Sequence, residues 1–72
     1  MIPVIVRCRI PQLLLKMGKT QIWLADQVGI SKQQMNDYVS LRHVLGLNKA
    51  KSIAEVLGVV IDDLYEWEWR GE

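Results

Sequence analysis

Side chains able to do more than pack are few in this 72-residue chain, and they gather in one run, Lys32-Gln33-Gln34-Met35-Asn36-Asp37. Outside it stand one histidine, one cysteine and the pair Asp62-Asp63. His43 has no Cys or acidic neighbour at ligand spacing, so it builds no metal site and reads as a surface residue. Cys8 cannot form an internal disulfide and reads as a half-buried thiol. Asp62 and Asp63 would need a pocket and a substrate-positioning group to act as acid and base, so they are assigned to a helix terminus. With no nucleophile–base pair, phosphate loop or metal set, we expect no enzyme and no cofactor. The polar run therefore offers hydrogen bonds and ion pairs rather than catalysis.

The elements that must hold this run follow from periodicity and punctuation. Ile2–Arg7 are β-branched and short, which predicts a strand or extended arm with Pro3 near its start. Pro11 places the start of a first helix nearby, with Ile10, Leu13, Leu14 and Met17 on one stripe and Gly18 at its end. Thr20 is a good N-cap for a second helix that carries Leu24, Ala25 and Val28 on one face and stops at Gly29. Ser31 caps a third helix, with Met35, Tyr38 and Val39 inward and Lys32, Gln33, Gln34, Asn36 and Asp37 mainly outside. After a connection over 40–46, Gly46 or Asn48 can cap a fourth helix with Leu47, Ala50, Ile53, Ala54 and Leu57 at core spacing. A short fifth helix fits Ile61–Glu66, and Glu66-Trp67-Glu68-Trp69 alternates as a strand does.

The pair of short helices around Gly29 is the informative feature. Two helices crossing steeply need a small residue where the backbones approach, and Ala25 is small. They need a tight turn that glycine enters without strain, at Gly29, and apolar anchors, at Leu24, Val28, Ile30, Met35 and Tyr38. This is a helix-turn-helix, whose second helix projects its N-terminal side chains outward. Charge is also divided along the chain. Residues 1–51 hold eight Lys and Arg against Asp26 and Asp37, net +6, and residues 52–72 are net −5, which gives the overall +1. Such separation can leave one basic face for a polyanion.

The segment T-Q-I-W-L-A-D-Q-V-G-I-S-K-Q-Q-M-N-D-Y resembles the helix-turn-helix of Cro/C1-type (XRE-like) regulators of phage and bacteria. The likeness runs without a gap from about Ile10 to Tyr65 and includes Ile53-Ala54, Leu57-Gly58 and Asp62-Asp63-Leu64-Tyr65. It implies an all-α, lambda-repressor-like compact bundle of five helices over 10–66, with an N-terminal arm at 1–9 and a tail at 67–72. It implies a sequence-specific double-stranded DNA-binding transcriptional regulator, a repressor acting as a dimer on a two-part operator. By residue, it puts Lys32, Gln33, Gln34 and Asp37 at groove-facing positions, Ser31 at the cap of the recognition helix, and Gln21, Ser31, Asn36, Arg42 and His43 near the DNA backbone. The chemistry agrees: Gln pairs with adenine N6/N7, Lys donates to guanine O6/N7, and Asp37 would accept from cytosine N4 or restrain Lys32 or Gln33.

Several residues depart from the family pattern. Leu41 stands where Gly or Asn is usual, Val60 cannot cap the last helix, and Ile22 and Trp23 are apolar where polar residues are common. The two apolar residues suggest extra packing against the arm or the tail. We expect residues 2–7 and 66–70 to pair as a small antiparallel sheet, within one chain or across a homodimer, lying on the bundle near Trp23. Trp67 and Trp69 then fill core or interface, because Glu66 and Glu68 beside them repel a nucleic-acid backbone. The single thiol and the absence of a long apolar stretch point to a cytoplasmic protein, bacterial or phage-encoded in a bacterial cell, with no membrane and no small-molecule ligand. The competing class is a protein–protein adaptor or antitoxin on the same fold.

Overall fold

A computed structural model describes residues 1–71; the remaining tail residue, Glu72, lies outside the described residues. The chain runs β1 (Ile2–Cys8), α1 (Ile10–Met17), α2 (Gln21–Val28), α3 (Lys32–Val39), α4 (Leu47–Leu57), a single 3-10 turn (Ile61–Leu64) and β2 (Tyr65–Arg70). The helices and the 3-10 turn surround one core, and each contributes a side chain wholly shut off from solvent: Ile10, Leu24, Met35, Ile53 and Leu64. Ala25, Ala50 and Ala54 are also buried, and their size lets the helices approach. Met17, expected on the α1 stripe, is instead exposed at the end of that helix.

The last helix departs from expectation. The fifth helix is only a 3-10 turn of four residues. Val60 offers no side-chain cap, and the chain turns extended at Tyr65, so no second turn of helix can form. The bundle therefore contains four α-helices among the described residues, and Tyr65 and Glu66 belong to β2. The expected sheet is present. β1 and β2 pair antiparallel within one chain, from Ile2 opposite Arg70 to Cys8 opposite Tyr65, with an irregularity between Ile5 and Arg7. This ribbon packs on the 3-10 turn. The Arg9 N–H donates to the Leu64 carbonyl at 2.8 Å, and the Trp67 indole N–H donates to the Asp62 carbonyl at 3.0 Å. Trp23 packs half-buried on the bundle, with the Lys19 ammonium 5.1 Å from its ring centroid.

Candidate nucleic-acid interface

Local sequence sets the two helices that form the site. Thr20 Oγ1 accepts from the Trp23 N–H at 3.1 Å, so α2 starts at Gln21. Gly29 ends it at φ 74°, where any side chain would be strained, and the Ile30 N–H then donates to the Ala25 carbonyl at 3.0 Å. Ser31 starts α3 with a capping box: its Oγ accepts from the Gln34 N–H, and Gln34 Oε1 accepts from the Ser31 N–H, both at 3.1 Å. Buried Met35 and half-buried Tyr38 and Val39 hold α3 to the bundle and leave Lys32, Gln33, Gln34 and Asn36 exposed.

The start of α2 and the outer face of α3 enclose an open groove lined by Gln21, Ile22, Lys32, Gln33 and Asn36. Four of the residues expected to contact DNA, Gln21, Lys32, Gln33 and Asn36, thus meet in one place. Ile22 was expected to find packing, but it lies exposed at this groove. The Gln34 side-chain oxygen is turned back onto the start of its own helix. Asp37, half-buried, accepts at one carboxylate oxygen from Gln33 Nε2 at 3.2 Å and from Arg42 Nη1 at 3.3 Å. Of the two restraints considered for Asp37, the structure shows the one on Gln33 and not one on Lys32. Arg42 and His43 are exposed in the loop after α3, and both their N–H groups donate to the Asp37 carbonyl.

Residues 9–69 match the family of Cro/C1-type HTH DNA-binding domains. The chain belongs to that family. This Cro/C1-type domain is 40% identical over 63 residues to YopS, an SPbeta prophage-derived HTH-type transcriptional regulator of Bacillus subtilis (strain 168); the alignment covers 86% of this chain and 85% of the relative. It is 33% identical over 48 residues to YotL, a second SPbeta prophage-derived HTH-type transcriptional regulator of that organism, covering 65% of this chain and 60% of the relative. The family match starts after β1 and takes in nearly all of β2.

Sequence reasoning missed one residue that shapes the domain's site. The Tyr65 hydroxyl accepts from the buried Leu45 N–H at 3.1 Å and so fastens the loop that follows α3. A tyrosine at the start of β2 was visible, but its partner lies twenty residues away and no local pattern reveals it. Acidic residues accumulate at the opposite end of the sequence, with Asp62 and Asp63 in the 3-10 turn and Glu66 and Glu68 on the ribbon. No helix of the described residues is long and apolar enough to cross a membrane.

Proposed function

We propose that this chain is a sequence-specific transcriptional regulator of double-stranded DNA, a repressor that binds a two-part operator as a homodimer in the cytoplasm of a bacterial cell. The observation that carries this reading is the groove that gathers Gln21, Lys32, Gln33 and Asn36 at the outer face of α3. In this reading α3 enters the major groove. Lys32 and Gln33 reach base edges, and Gln34 contributes through its amide NH2, since its oxygen serves the cap. Gln21, Ser31, Asn36, Arg42 and His43 meet the sugar–phosphate backbone, which fixes register without reading sequence.

Dimerisation is supported by two things. One recognition helix reads too few base pairs for genomic specificity. A two-stranded ribbon also has two unpaired edges, and here it exposes Ile2 and Trp69. The test is titration on an operator selected from random DNA. Gln33→Ala should lower affinity about tenfold and flatten preference at one base pair per half-site. Lys32→Ala should reduce the salt dependence if its ammonium also meets phosphate. Unchanged affinity and preference in Gln33→Ala would sink the assigned readout. Absence of DNA retention at low salt, together with a tight protein partner, would favour the adaptor class instead.

A further inference from the structure

We infer that Asp37 is a positioning residue that decides which edge of the Gln33 amide is turned to DNA, an inference that rests on α3 being the recognition helix. A glutamine amide is ambiguous by itself, because rotation by half a turn exchanges its donor and its acceptor. A carboxylate removes the ambiguity. It can only accept, so the Gln33 amide must offer Nε2, which stands 3.2 Å from Asp37 Oδ1. The reversed amide would set two oxygen acceptors against each other. Asp37 is held in turn. Arg42 Nη1 meets the same oxygen at 3.3 Å, the Asp37 backbone carbonyl takes the N–H groups of Arg42 and His43, and its side chain is 19% exposed. Gln33 lies one helical turn before Asp37 and is exposed, so the constraint passes from a held residue to a free one.

Fixed in this way, Gln33 offers Oε1 and its remaining N–H in a set order. That order suits adenine, which presents an N6 donor beside an N7 acceptor. Guanine presents two acceptors there, and one of them would face Oε1. Released from Asp37, donor and acceptor can exchange places, and the preference relaxes. Asp37 thereby acts on specificity without touching a base, and its charge is matched by Arg42 rather than left facing phosphate.

The experiment measures binding of the full chain to its selected operator and to every single-base variant, for the parent, Asp37→Ala, Gln33→Ala and the double variant. Asp37→Ala is expected to lose about tenfold in discrimination at the base pair that Gln33→Ala affects. The double variant should lose no more there than Gln33→Ala alone. Affinity for unrelated DNA should hold or rise, because Arg42 loses its carboxylate partner and its charge is freed for a polyanion. Asp37→Asn, whose Oδ1 still accepts, should keep more discrimination than Asp37→Ala. Loss at a different base pair would mean that Asp37 reads DNA itself and would overturn the inference. So would a uniform fall in affinity with discrimination intact, the signature of a purely structural role. If Gln33→Ala changes no preference while DNA binding persists, the assigned readout fails first and the inference goes with it. Thermal unfolding of each variant reports whether it is folded.

Discussion

Tyr65 does two jobs with one side chain. Its ring is buried at the join of ribbon and bundle, edge-on to Trp67 with centroids 6.0 Å apart. Its hydroxyl accepts the Leu45 N–H, a buried donor in the loop that leaves α3. Removing only the hydroxyl keeps the packing and orphans that donor. Tyr65→Phe should therefore cost about 1–3 kcal/mol, read as a lower urea midpoint at unchanged slope. Loss of that bond should also loosen the loop carrying Arg42 and His43, so hydrogen exchange should rise around Leu45. Unchanged stability would mean that water replaces the hydroxyl.

At the scale of the element, the exit from α3 is the strained place. Leu41 has φ 65°, the one residue other than glycine with positive φ among the described residues. Its side chain packs half-buried against the core, which holds it in a conformation costing about 1–2 kcal/mol for an L-residue. Conformation and hydrophobicity then give opposite rankings. Asn tolerates this region and Val does not, although Val is the better core residue. Leu41→Asn is expected to be more stable than Leu41→Val in thermal melts, and the reverse order would show that packing alone governs the site. The departure at Leu41 was legible in the sequence, because Gly or Asn is usual there. That the chain keeps the left-handed turn anyway was not legible, since it depends on the apolar contacts Leu41 gains in the assembled bundle.

At the scale of the whole molecule, the ribbon makes the shape elongated, 39 × 22 × 19 Å, and places Cys8 opposite Tyr65 where it joins the bundle. Burial raises both groups above their ordinary values of 9.0 and 10.0, outweighing the backbone hydrogen bonds that favour ionisation. Each is neutral when protonated, and the unfolded chain releases its protons first. Their contribution to stability is therefore fully present below about pH 9 and lost as pH rises through the raised folded-state values. The melting temperature should fall above pH 9, and Cys8→Ala should remove the earlier part of that fall. A rise in stability over the same range would contradict burial of the pair in solution. The thiol was expected to be half-buried; it is 6% exposed, because the end of β1 joins the core cluster and no local signal reports that.

The sequence by itself determined the helix-turn-helix. Caps at Thr20 and Ser31, the stop at Gly29 and the small Ala25 are local or near-neighbour effects, and backbone physics reads them directly. It also determined that both ends of the chain are extended, since β-branched and alternating residues favour strands wherever they lie. Only the tertiary structure decided that those ends pair with each other within one chain and that the ribbon they form packs on the 3-10 turn. Those outcomes depend on contacts between residues more than fifty positions apart, where the geometry of the whole core selects among pairings that are locally equivalent. The polar face of α3 lies between the two cases: its residues were legible, and the link from Asp37 to Gln33 and Arg42 required side chains placed in space.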